Sequence, residues 1–251
     1  MRDQPDLASW HAWQESPWGR LRYALAETNL LRHLPPGPLR VLDIGGGDGG
    51  DALRLAAHGH RVTIADPNAT MLSVAEKRAA AAGFTETVRC LPVAAGEIED
   101  GDFDVVLCHN VIQYFDDIAA GVRTVLGPLR HGGMFSMIAV NRDSVPLITA
   151  VRRLDPATAL TELDATRQRS EVFGAEFALL TAAELRGMLT DADAEVLAHY
   201  GIRSICDLQS DTVDKADPAY YADLLRLESA VTDRAPYRDI ARLFQLVGTV
   251  P

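Results

Sequence analysis

Val41-Leu42-Asp43-Ile44-Gly45-Gly46-Gly47-Asp48-Gly49-Gly50 opens as a buried strand and turns into glycine. Val41, Leu42 and Ile44 supply the apolar run, and Gly45, Gly47 and Gly50 satisfy GxGxxG at the junction of a strand and a helix. Around this junction strand and helix alternate. The pattern predicts strands over 40–44, 61–65, 88–91, 103–108 and 134–140, and helices over 49–58, 69–82 and 118–126. Such alternation buries a parallel sheet between helices, because right-handed crossovers leave few other topologies. Upstream, a helix over 18–33 places Leu21, Leu25, Leu30 and Leu34 roughly on one side, and Pro35-Pro36-Gly37-Pro38 stops it. After Asn141 the rhythm breaks: 142–193 reads as helical and polar with no strand, followed by a strand over 195–202, a helical stretch over 218–241 and a strand over 243–250. Two late strands separated by an insertion suit an antiparallel edge hairpin, and the insertions are expected over the carboxyl ends of the strands, where open α/β sheets bind ligands.

Composition narrows the classes. With 47% hydrophobic and 24% charged residues the chain can build an ordinary core. A net charge of −11 repels polyanions at long range, which counts against extended nucleic-acid binding. Cys90, Cys108 and Cys206 form no CxxC pair and no Cys/His cluster, so reduced thiols are expected and no metal site. Met1-Arg2-Asp3-Gln4-Pro5-Asp6 holds no apolar signal core, and the apolar run 134–140 is far short of the roughly 20 residues a membrane helix needs. A cytoplasmic protein with no membrane partner is the expectation.

The glycine turn fits a dinucleotide as well as S-adenosylmethionine, and charge separates the two. A dinucleotide sets its pyrophosphate against this turn and the helix N-terminus. Here Asp43 ends the strand and Asp48 lies inside the turn, where carboxylates repel phosphate unless compensated. S-adenosylmethionine carries an ammonium and a sulfonium and no phosphate, so an acidic turn attracts it. Asp66, in Ile64-Ala65-Asp66-Pro67-Asn68, ends the second strand. A carboxylate there can accept both ribose hydroxyls, or it can cap the helix from Asn68 onward, with Pro67 in the first turn.

Residues 41–50, Asp66, Asp102-Phe103-Asp104-Val105-Val106-Leu107 and Leu129-Arg130-His131-Gly132-Gly133 resemble the ordered motifs of class I S-adenosylmethionine-dependent methyltransferases. The resemblance implies a Rossmann-like, seven-stranded α/β sheet whose last strand is antiparallel, here with helical insertions covering the active site. It divides the chain into an N-terminal arm and helix acting as a lid (1–34), a cofactor-binding core (35–141), and insertions with edge strands completing the sheet and acceptor pocket (142–251). Gly19-Arg20-Leu21-Arg22, Cys108-His109-Asn110-Val111, Val140-Asn141, Gly201-Ile202-Arg203 and Leu224-Leu225-Arg226-Leu227-Glu228 are similar to the bacterial tRNA wobble-uridine carboxymethoxy methyltransferases, which esterify a carboxylate. That resemblance implies Arg22 on the cofactor carboxylate, Gly45 and Gly46 (with Asp43 and Gly47) along the cofactor, Asp66 and Pro67 at the ribose, Ala95 and Gly96 at the adenine, and His109 after the fourth strand. S-adenosylmethionine is the implied cofactor and S-adenosylhomocysteine the product. The stretch 151–170 mixes Arg152, Arg153, Arg167 and Arg169 with Asp155, Glu162 and Asp164. Together with the charge of −11 this ranks a small-molecule acceptor ahead of tRNA.

Three further residues are candidates for the chemistry. His109 stands where the reactive methyl should point, as a cofactor contact, a general base or a locally bonded strand end. Arg203 is the candidate anchor for an anionic acceptor, against an ion pair with Asp207, and Tyr200 faces the same rim. Trp10, Trp13 and Trp18 precede the first helix as a lid or as ordinary packing of an arm. No His/Asp dyad is readable, which favours an acceptor that is already nucleophilic. A non-catalytic cofactor-binding module and a nicotinamide oxidoreductase are the competing classes, and the oligomeric state has no sequence signature.

Overall fold

A computed structural model describes residues 7–170, 174–210 and 213–251, so the reading of the first six residues lies outside it. Two helices, α1 (Leu7–Glu15) and α2 (Pro17–Leu31), precede the sheet. The alternating core follows as β1 (Arg40–Ile44), α3 (Ala52–Ala57), β2 (Arg61–Ala65), α4 (Ala69–Ala81), β3 (Val88–Leu91), β4 (Phe103–His109), α5 (Ile118–Leu126) and β5 (Leu129–Val140). Then come α6 (Ser144–Val151), α7 (Pro156–Glu162), β6 (Arg167–Arg169), β7 (Glu176–Ala178), α8 (Ala182–Asp191), β8 (Glu195–Ile202), α9 (Pro218–Val231) and β9 (Leu243–Thr249).

The main sheet has seven strands in the order β3-β2-β1-β4-β5-β9-β8, the α/β arrangement expected. β1 runs parallel to β2 and β4, with Leu42 opposite Thr63 on one side and Val106 on the other. β4 is apolar without alternation because both its faces are covered: Val105, Val106, Leu107 and Cys108 are fully buried. β9 is antiparallel to its neighbours. Gly133 accepts from the Val250 N–H and Arg242 from the Asn141 N–H, while the Arg242 N–H donates to Arg203. Strand order reverses between β1 and β4, and at such a switch point the loops leaving the two strands part and open a crevice.

Four expectations are corrected. The helix after the glycine turn starts at Ala52 rather than 49, because Gly45, Gly47 and Gly49 hold φ of 67°, 53° and 80°, outside any right-handed helix. β5 begins at Leu129, before the Gly132-Gly133 pair, since Leu129 already pairs with Phe103 across a register shift. The stretch 142–193, read as strand-free, holds the two-stranded β6–β7 ribbon. Its alternation is concealed by polar residues, Phe177 being its one buried large apolar side chain. α9 ends at Val231 instead of 241; the chain turns there, and Pro236 lacks the N–H a continuing helix needs.

The chain forms two compact units. One comprises the chain up to Ala26 with Ala139–Leu185 and His199–Gln245; the second comprises Glu27–Ile138, Arg186–Ala198 and Leu246–Pro251.

Candidate functional site

In the second unit, β1, β2 and β4 deliver three polar loops from the same end of the sheet. The Gly45 N–H donates to the Ala65 carbonyl at 2.7 Å, drawing the glycine turn toward the end of β2. A Cβ on Gly45 would come within 2.5 Å of Val111 Cγ2, and one on Gly46 within 2.5 Å of Asp43 Oδ2. Asp43 is thus folded beneath the turn and 2% exposed. Only glycine allows this approach, which leaves the turn's outer side clear for a ligand.

Asp66 is held by two backbone donors. The Gly47 N–H donates to Oδ2 at 3.0 Å and the Asn68 N–H to Oδ1 at 2.8 Å. Each oxygen keeps a lone pair, so the carboxylate can still accept two hydroxyls. Burial pushes the Asp66 pKa up, partly countered by those two N–H groups. The helix cap is Asn68, whose Oδ1 accepts from Thr70 and Met71, so Asp66 does not cap α4 and exposed Pro67 lies ahead of it.

Asp48, expected to lend its charge to the turn, does not present it to a ligand. It is 2% exposed, and its carboxylate accepts from Arg78 Nη1, so its negative charge is compensated inside the protein. The carboxylate that keeps lone pairs for a ligand at this turn is Asp66.

His109 ends β4 almost fully buried. Its Nδ1 lies 3.0 Å from Asp51 Oδ2 and its Nε2 2.8 Å from Ser136 Oγ. A proton on Nδ1 serves the Asp51 carboxylate, and the Ser136 hydroxyl then donates to Nε2. Both ring nitrogens are therefore engaged within the protein, and the His109–Asp51 pair corrects the expectation of no His/Asp dyad: 58 residues separate the two in sequence, and the fold brings them together. Its neighbour Asn110 adopts a left-handed φ of 61°, and its buried Oδ1 has no hydrogen-bond partner among the described residues. Asn110 was missing from the candidates drawn from sequence. The available signal was an asparagine directly after a buried strand, since asparagine tolerates this backbone.

Ala95 and Gly96 form a tight turn closed by Glu97 Oε2, which accepts from the Ala94 N–H at 2.9 Å. A Cβ on Gly96 would meet nothing within 4 Å, so this side of the turn is open. These features fit S-adenosylmethionine. Asn110 Oδ1 is an acceptor suited to an ammonium and Asp66 one suited to a ribose diol, while the open turn at Gly96 suits a flat base.

The remaining candidates lie in the first unit. Arg22 is 3% exposed and its guanidinium stands 4.6 Å over the Tyr23 ring. Tyr23 Oη accepts from Gln14 at 2.8 Å, and Trp13 meets the ring edge-on. Trp10 stacks on Trp13, whereas Trp18 stands apart beneath Arg152 and Lys215, so the three tryptophans form two groups. Tyr200 is buried, as is Arg203. Arg203 directs Nε and Nη2 at Asp207, 2.6 and 2.5 Å away. Burial alone would lower the Arg203 pKa, but the Asp207 carboxylate more than reverses this and keeps it a cation. Glu228, with no exposure at all, accepts from the Ser204, Ile205 and Cys206 N–H groups at 2.8–3.0 Å and so fixes the loop that carries Arg203.

Comparison with known proteins agrees with this geometry. Residues 41–133 match the methyltransferase domain family. Over 240 residues the chain is 26% identical to the tRNA 5-carboxymethoxyuridine methyltransferase of Escherichia coli, covering 93% of this chain and 89% of that protein. Over 112 residues it is 38% identical to a ubiquinone biosynthesis O-methyltransferase of Methylobacterium nodulans, covering 44% of this chain and 45% of that one. In structure it superposes on a SAM-dependent methyltransferase of Thermotoga maritima, described as a possible histamine N-methyltransferase. The TM-score is 0.66 at 17% identity, with 98% of this chain and 96% of that one covered. The glycine turn, the strand order and the matched domain together make this chain an S-adenosylmethionine-dependent methyltransferase of the class I fold.

Proposed function

We propose that the enzyme methylates a small-molecule acceptor that arrives already ionised, with a carboxylate oxygen as the methylated atom. The observation carrying this reading is His109. Asp51 and Ser136 occupy its two nitrogens, so the best-placed base meets an acceptor directly only after one of these partners is displaced. A carboxylate needs no base at neutral pH. When bound, the cofactor supplies an electrophilic methyl group: the new O–C bond forms as the C–S bond breaks, and the electron pair leaves on sulfur. The chain's own residues hold and align the reactants, a contribution worth roughly 7–11 kcal/mol of barrier. Asp43, Asp66 and Asn110 hold the donor, and Ala95-Gly96 flank its base.

The net charge of −11 supports a metabolite over a polyanion. A second reading, methylation of a tRNA carboxylate, is supported by the near full-length alignment with the Escherichia coli tRNA enzyme. Isotope-labelled methyl transfer from the cofactor to a metabolite extract, and separately to bulk tRNA, tests both. The expected product is a labelled small molecule whose label mild alkali releases as methanol. Label in tRNA would establish the second reading, and alkali-stable label would refute a carboxylate acceptor.

A further inference from the structure

Strand register brings three arginines together at the amino-terminal ends of the sheet. Arg40 opens β1 and pairs with Arg61, which opens β2; two residues further on, Thr63 pairs with Arg89 of β3. Residues paired across parallel strands share a face, as do residues two apart along one strand, so Arg40, Arg61, Thr63 and Arg89 all lie on one face. Neighbouring strands stand about 4.8 Å apart, and like charges at adjacent positions repel. This row of guanidiniums gives the sheet no stability of its own.

The row lines a cavity of about 340 Å³, within the size range of small-ligand sites. Phe103, whose ring lies 5.0 Å beneath the Arg40 guanidinium, lines it too. Every lining residue belongs to the second unit. The glycine turn and Asp66 leave the carboxyl ends of the same strands, and β1, five residues long, sets the two ends roughly 16 Å apart. The cavity is thus separate from the cofactor site.

Nearby acids leave donors uncommitted. Asp100 accepts from Arg89 Nη1 at 3.0 Å, and Asp104 takes Arg130 Nε on one oxygen and the Arg40 N–H on the other. Glu86, the one carboxylate among the lining residues, makes no ion pair among the described residues. Arg40 Nη1 donates to the Asp102 carbonyl, whereas the Arg61 guanidinium has no hydrogen bond or ion pair among the described residues. The hydroxyls of Thr63 and Thr85, which line the same cavity, have none either.

We propose that this cavity binds a small phosphate ester, with Arg61 at its centre and Arg40, Arg89, Thr63 and Thr85 around it. A carboxylate fills one guanidinium fork. A phosphate ester presents three acceptor oxygens and up to two negative charges, which suits donors converging from three adjacent strands. A small ester is favoured over the phosphates of a nucleic acid because the net charge of −11 repels a polyanion.

Calorimetric titration of the intact protein with phenyl phosphate tests this, with S-adenosylhomocysteine saturating the cofactor site. Wild type is expected to bind one equivalent, more weakly as sodium chloride is added, and to bind benzoate less tightly. Arg61→Gln should weaken phenyl phosphate binding by about tenfold or more, the loss of hydrogen bonds to a charged group, and Arg61→Lys should fall between the two. Arg226→Gln, at an exposed arginine of α9, should bind as wild type does. Arg61 is exposed, so its variants are expected to keep the wild-type melting temperature. No phenyl phosphate binding by wild type, or unchanged affinity in a folded Arg61→Gln variant, overturns the proposal. Benzoate bound as tightly as phenyl phosphate overturns the phosphate class, and Arg61-dependent binding of bulk tRNA without phenyl phosphate binding overturns the small ester.

Discussion

Asp66 is the residue on which the cofactor reading is most exposed to measurement. Its two oxygens are steadied by backbone N–H groups and spared from capping α4, so their remaining lone pairs are available to a ribose. Asp66→Ala is expected to weaken S-adenosylhomocysteine binding by about 1.5–3 kcal/mol while leaving the melting temperature close to wild type. The pH dependence has a definite sign. The ionised carboxylate is the better acceptor, and burial raises its pKa above the ordinary 3.8. Affinity should therefore fall on acidification at a pH higher than an exposed aspartate would give, and Asp66→Ala should flatten that fall. Asp43, the glycines and Asp66 were legible in the sequence because their meaning is local, each standing at the end of a recognisable strand. Asn110 was not. What marks it is the absence of a partner in three dimensions, which no spacing rule encodes.

Among the elements, the loop after β8 shows how a buried acid can act as scaffold. Glu228 of α9 gathers three successive N–H groups from residues 204–206, holding Arg203 at a left-handed φ of 63° and Asp207 against its guanidinium. Glu228→Ala leaves three buried donors unpaired and should destabilise the protein by about 3 kcal/mol or more, read from urea unfolding. Glu228→Gln keeps an acceptor and should lose less; an Ala variant within about 0.5 kcal/mol of wild type would show that the loop does not depend on it. Strand and helix were legible wherever apolar periodicity was strong, as in β4 or in α5 with its buried Val122, Val125 and Leu126. They were illegible where another constraint dominated: left-handed glycines delaying α3, polar side chains concealing the β6–β7 ribbon, and the turn before Pro236 ending α9 early.

At the scale of the whole molecule, buried charge is sorted by unit. The second unit sets Asp66 at the glycine turn while Arg78 compensates Asp48, and the first unit pairs Arg203 with Asp207 and gives Glu228 three backbone N–H groups. An acidic cradle suits a cationic methyl donor. The central claim is that the acidic glycine turn admits a nucleoside without phosphate. Calorimetric titration of the intact chain with S-adenosylhomocysteine and, separately, with NAD measures this directly. Saturable one-to-one binding of S-adenosylhomocysteine with no heat from NAD is the predicted result, and tight binding of NAD without S-adenosylhomocysteine binding would contradict it.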